Sequence, residues 1–224
     1  MWVKICGNTS LEDAVLAANA GADALGFVFA TSPRRVSPEQ VSAIVADLPA
    51  SVEKIGVFVE DPAETIVRTI RTCGLTGVQL HSLAGAEVPA TLRAEFGTSF
   101  RILRVVHFGP DAAERARAYA ADPNVDGVLV DSRTATAVGG TGIAFDWESA
   151  RHTVFSDGKG KPMIVAGGLN PENVTAAIAA LQPWGVDVVS GVEAAPGRKD
   201  AAKVRAFVTR ARAGAHSDSD LEHI

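Results

Sequence analysis

Short apolar, β-branched runs recur along the chain, separated by stretches with helical patterning. In order they are WVKIC (2–6), ALGFVF (24–29), EKIGVFV (53–59), GVQL (77–80), FRILRVV (100–106), DGVLVD (126–131), PMIVA (162–166) and VDVVS (186–190). Each is continuously apolar rather than alternating. That is the pattern of strands covered on both faces, as in parallel sheets.

The intervening stretches carry helix signals. LEDAVLAANAGA predicts a helix closing at Gly21 as C-cap. SPEQVSAIVADL opens with Ser37 as N-cap and Pro38 at the first helical position. DPAETIVRTIRTCG and NPENVTAAIAAL repeat that opening with Asp61-Pro62 and Asn170-Pro171. GPDAAERARAYAA and KDAAKVRAFVTRA supply two more helices, and the segments 84–96 and 146–155 are weaker candidates.

Strand starts recur at a spacing that suits a βα unit with a short loop at each end. Eight such units in 224 residues predict an α/β, single-domain (β/α)8 TIM barrel at the compact end of its range. A doubly wound open sheet is the main rival, but it would carry its Gly-rich loop after the first strand. Here Cys-Gly-Asn-Thr follows that strand, and the Gly-rich loops come late. No composition shift divides the chain. The expected boundaries are a barrel over 1–212 and a polar tail over 213–224, AGAHSDSDLEHI.

Composition narrows the partners. The net charge is −5, with no Lys/Arg block, which argues against nucleic acid. A small anionic substrate stays open, because backbone dipoles bind anions without a positive total charge. Two cysteines, Cys6 and Cys73, make no disulfide framework and suggest a reducing cytoplasm. The five histidines show no metal-ligand spacing. The first strand begins too early to leave room for a signal peptide, and no apolar run approaches the roughly 20 residues of a membrane span. Both a monomer and a homodimer are compatible with such a barrel.

In a barrel of this kind the chemistry sits at the C-terminal strand ends. Strand one ends at Cys6, and strand two leads into ATSPRRVSP with Arg34 and Arg35. Strand four gives Gln79 and His81, strand six ends at Asp131, strand seven in AGGLN and strand eight in SGVE. Gly167 and Gly168 stand between a strand and a helix start, and Ser190 and Gly191 precede another possible short helix. Glycine admits close backbone approach to a ligand, and free N–H groups at helix starts bind anions. One such pair alone would be read as a tight turn. Two, at the recurrent phosphate position of these barrels, point to a phosphate.

AVGGTGIAFDW (137–147), with Gly140 and Gly142, is a candidate lid or a plain solvated loop. Cys6 and Asp131 fall across the barrel mouth from each other and can serve as an acid/base pair. A modest downward shift would make the thiol a usable base near neutral pH. The bland readings are a buried cysteine and a turn-capping aspartate. Cys73, near a helix end, takes the buried reading. Arg34 offers a planar fork for a substrate carboxylate, whereas Arg35 reads as solvated. Gln79 and His81 close an apolar strand and are assigned to the rim or the pocket.

VKICGNTSLEDA, GADALGFVF, SPRRVSPE, GVQLH, LVDS, GGTGIAFDW, VAGGLNPENV and VDVVSGVEAAPGRKD, in that order from about residue 3 to 208, resemble the phosphoribosylanthranilate isomerase family of tryptophan biosynthesis. The resemblance implies an Amadori rearrangement of N-(5-phosphoribosyl)anthranilate without cofactor or metal. It also implies that Cys6 is the general base, Asp131 the general acid and Arg34 the contact to the anthranilate side. The chain departs from the family pattern at Ser82 after QLH, at Val189 where a serine is usual, and at FATSPRR. These departures bear on substrate affinity rather than on reaction type. The alternatives are the sister sugar isomerase of histidine biosynthesis, a bifunctional enzyme, or a barrel without catalysis. The first two typically place an aspartate where Cys6 stands and carry a second phosphate loop in the first half.

Overall fold

The computed structural model describes residues 1–81, 84–131, 147–155 and 160–216. Eight parallel strands close into a barrel in chain order: β1 (Trp2–Ile5), β2 (Ala24–Val28), β3 (Glu53–Phe58), β4 (Gly77–Leu80), β5 (Arg101–His107), β6 (Gly127–Asp131), β7 (Met163–Ala166) and β8 (Gly185–Val188). The ladder between β1 and β8 closes it, with Val3 opposite Val186 and Lys4 opposite Asp187. Among the described residues, eight α-helices follow the strands: α1 (Leu11–Asn19), α2 (Pro38–Ala46), α3 (Ala63–Cys73), α4 (Val88–Phe96), α5 (Ala112–Ala121), α6 (Trp147–Ala150), α7 (Val174–Leu181) and α8 (Ala201–His216).

The continuous apolar runs are explained by two-sided burial. Successive strand side chains point to opposite faces. One set, including Trp2, Ala24, Ile55, Leu103, Leu129 and Ile164, fills the barrel interior. The alternate set, including Val3, Ile5, Leu25, Phe27, Val78 and Val186, packs under the helices. Fully burying a side chain such as Phe27 or Leu25 contributes about 1.5–3 kcal/mol.

Helix starts follow the local chemistry, with some displacement. Ser37 caps α2 in a reciprocal box with Gln40, and Pro38 opens the helix as expected. α3 starts one residue later than its Asp61-Pro62 signal, with Pro62 at the cap position. Asn170 does not cap α7 directly. Its side chain accepts from the backbone N–H groups of Glu172 and Asn173, ordering a turn ahead of the helix, which begins at Val174. The C-cap of α1 is Ala20, with Gly21 in the left-handed region just beyond it. α8 runs through His216, so residues 213–216 continue the helix rather than start a tail at 213. Ala211 is buried on its inner side. Between β8 and α8 lies an antiparallel pair not foreseen from the sequence, β9 (Glu193–Ala195) with β10 (Arg198–Lys199).

Candidate active site

A cavity of about 250 Å³ opens at the C-terminal ends of the strands. Cys6, Arg34, Gln79, His81, Asp131, Gly167, Gly168 and Ser190 all line it. Six separate stretches of sequence therefore converge on one pocket. Gly140 and Gly142 lie outside the described residues.

Cys6 continues the inward face of β1 just past its end, its backbone N–H donating to Val188 O at 2.9 Å. Its sulfur sits against β2: a Cβ on Gly26 would lie 2.4 Å from Cys6 Sγ, so only glycine leaves room for the thiol. Burial pushes the Cys6 thiol up, the Lys4 ammonium pulls it down, and Asp187 pushes it up again. Lys199 pulls it down as well, and the net direction is upward. The direction is opposite to the downward shift that would make the thiol a base near neutral pH, because removing a thiolate from water outweighs the two neighbouring cations.

Asp131 closes β6 and is buried. β6 is separated from β1 by β7 and β8 around the closed ring, so Asp131 and Cys6 enter the cavity from well-separated strands. His81 follows β4, and its ring lies 5.5 Å from that of His107 at the end of β5.

Arg34 reaches the cavity, but its fork is engaged. Its Nε donates to Glu193 Oε1 at 2.8 Å and its Nη2 to Glu193 Oε2 at 2.6 Å. Lys199 Nζ lies 3.3 Å from the same carboxylate and donates to Cys6 O at 2.5 Å. Burial alone would raise the Glu193 carboxyl; the Arg34 hydrogen bonds and the Lys199 charge outweigh it and hold it below the usual range. The β9–β10 pair thereby braces both Arg34 and the Cys6 backbone from behind.

Gln79 is also committed, its Oε1 accepting from Lys4 Nζ at 2.8 Å. Gly167 and Gly168 adopt φ of +86° and +65°, turning the chain sharply between β7 and the Asn170 turn. Gly191 directly follows Ser190, which lines the cavity. A Cβ there would sit 1.9 Å from Leu169 O, so Gly191 lets the turn after β8 pack against the loop after β7.

Four charged residues of this site were missed in the sequence: Lys4, Asp187, Glu193 and Lys199. The signal for the first two was a lone charge within each of two apolar strands. It becomes meaningful only once closure sets β1 beside β8, where Lys4 and Asp187 are register partners.

Residues 3–210 match the family model for N-(5'-phosphoribosyl)anthranilate isomerase. The chain belongs to this family. A relative from Geobacter metallireducens named N-(5'-phosphoribosyl)anthranilate isomerase is 44% identical over 94% of this chain and 98% of its own. One from Myxococcus xanthus with the same name is also 44% identical, over 94% and 95%. A crystal structure of phosphoribosyl anthranilate isomerase with reduced 1-(o-carboxyphenylamino)-1-deoxyribulose 5-phosphate superposes with a TM-score of 0.81 at 34% identity, covering 95% of this chain and 99% of that one. The Thermotoga maritima isomerase gives 0.80 at 37%, with the same coverage. A 3-hexulose-6-phosphate synthase from Salmonella typhimurium, at 17% identity and 0.72, shares the fold.

Proposed function

We propose that this isomerase uses Cys6 as general base and Asp131 as general acid in the Amadori rearrangement of N-(5-phosphoribosyl)anthranilate, a step of tryptophan biosynthesis. The observation that carries the reading is the convergence of Cys6, Arg34, Asp131 and the Gly167–Gly168 turn on a single cavity. Asp131 donates a proton to the furanose ring oxygen, the C1′–O bond breaks, and the nitrogen lone pair forms the Schiff base. Cys6 then removes the C2′ proton. The C–H electron pair flows toward the iminium nitrogen to give an enolamine, which tautomerises to the ketone.

The substrate phosphate is assigned to the loops carrying Gly167, Gly168 and Ser190, whose backbone N–H groups suit an anion. Gly191 supports them through its close approach to Leu169. Arg34, oriented by Glu193, faces the anthranilate carboxylate. The cytoplasm is the proposed compartment, on the strength of two cysteines that are both free thiols.

Purified protein is given phosphoribosylanthranilate and, separately, the aminoaldose substrate of the histidine pathway. Turnover of the first, competitively inhibited by inorganic phosphate, supports the assignment. Turnover of the second alone, or no inhibition at high phosphate, overturns it.

A further inference from the structure

Lys4 is the largest fully buried side chain of the barrel interior, with no exposed surface at all. It lies two residues before Cys6 on the same inward face of β1, directly under the cavity floor formed by Gln79 and Asp187. An ammonium has three N–H donors, and two of them have side-chain partners here. One goes to Asp187 Oδ1 at 2.9 Å and one to Gln79 Oε1 at 2.8 Å, and the ammonium's charge acts on the Cys6 thiol.

Stability alone does not explain this arrangement. A buried ion pair is often replaced by well-packed apolar residues without loss, whereas a lone buried charge is costly. The interior layer below Lys4 is apolar and would accept such a replacement. The pair instead stands at the level of the cavity floor, one inward position below the nucleophilic sulfur of Cys6. Gly26 lies against that sulfur at a separation no Cβ could tolerate. The thiol thus rests against bare backbone, within the field of a buried cation.

We propose that Lys4 is a positioning residue for Cys6: clamped by Asp187 and Gln79, it fixes the sulfur at the cavity floor and carries the counter-charge of the thiolate. This rests on the reading of Cys6 as the base. Loss of the thiol proton to solvent creates an ion pair with Lys4. When the sulfur takes the C2′ proton, its negative charge is discharged as the C–H electron pair neutralises the substrate iminium. Lys4 keeps its proton throughout. Asp187 and the sulfur outweigh burial and hold its ammonium above the ordinary lysine range. The other charged or titratable groups around the sulfur are Lys199 from β10 and, lining the same cavity, Arg34, His81 and Asp131.

The test is an ultraviolet titration of the Cys6 thiolate in a Cys73→Ala background, beside the pH profile of kcat/KM. Lys4→Met, or Lys4→Gln should the first not fold, is expected to move the Cys6 titration upward by about 1–3 pH units, with the kcat/KM profile following. Asp187→Asn is expected to move it downward. Structural damage would lower activity in both variants without opposite titration shifts. An unmoved titration in the Lys4 variant, or shifts of the same sign in both, overturns the proposal. A fully active Cys6→Ala overturns instead the reading on which it rests.

Discussion

At the scale of single residues, the site separates groups that touch the cavity from groups that hold them. Asp131→Asn keeps the shape but loses the transferable proton. Its kcat is expected to fall by roughly 10²–10⁴-fold, the usual worth of a general acid; unchanged turnover would remove Asp131 from the reaction. Glu193→Gln should act through Arg34, because the carboxylate holds both arms of the fork. Initial-rate kinetics are expected to show a larger rise in KM than fall in kcat. An unaltered KM would mean that Arg34 orients itself. That Cys6, Arg34 and Asp131 reach the cavity was legible in the sequence because each stands at a strand end or in the loop that follows one, where the fold places chemistry. Glu193 and Lys199 were not, since their roles depend on a hairpin that folds them back behind β1 and β2. A Glu and a Lys in a loop carry no periodic signal.

At the scale of elements, boundaries shifted while types held. The strands were legible because two-sided burial leaves an unbroken apolar run, which survives any error of one or two residues. The start of α7 was not, because Asn170 bonds to two backbone N–H groups of a preceding turn, an arrangement that reads as an N-cap in sequence. Gly191 shows the same limit. Its neighbourhood marks it as a binding candidate, but nothing local signals its close approach to Leu169, far from it in sequence. Gly191→Ala would force apart the two loops proposed to bind the phosphate, and overpacking of this kind costs about 1–3 kcal/mol. Inorganic phosphate is expected to inhibit this variant more weakly than the wild type. Equal inhibition would show that the loops bind phosphate independently of their mutual packing.

At the scale of the whole molecule, closure of the barrel creates what no single segment encodes. It puts β8 beside β1, pairs Asp187 with Lys4, and brings Cys6 and Asp131 into one cavity. Away from that cavity, Cys73 is buried beneath α2, where burial and then the Glu39 charge push its thiol up to about 11. A thiol raised above its unfolded value favours the folded state at pH below that unfolded value. That contribution is lost as pH rises toward about 11. Cys73→Ala should therefore show a shallower fall in stability across this alkaline window in denaturant titrations at several pH values. A fall as steep as in the wild type would assign the alkaline limb to other groups.

The central claim is that one cysteine at the end of the first strand is the base of the isomerisation. Phosphoribosylanthranilate generated in situ loses its fluorescence as it is consumed, so wild type and Cys6→Ala can be compared directly in one assay. The account predicts rapid loss with the wild type and only the spontaneous rate with Cys6→Ala. A Cys6→Ala protein that consumes the substrate at close to the wild-type rate would contradict it.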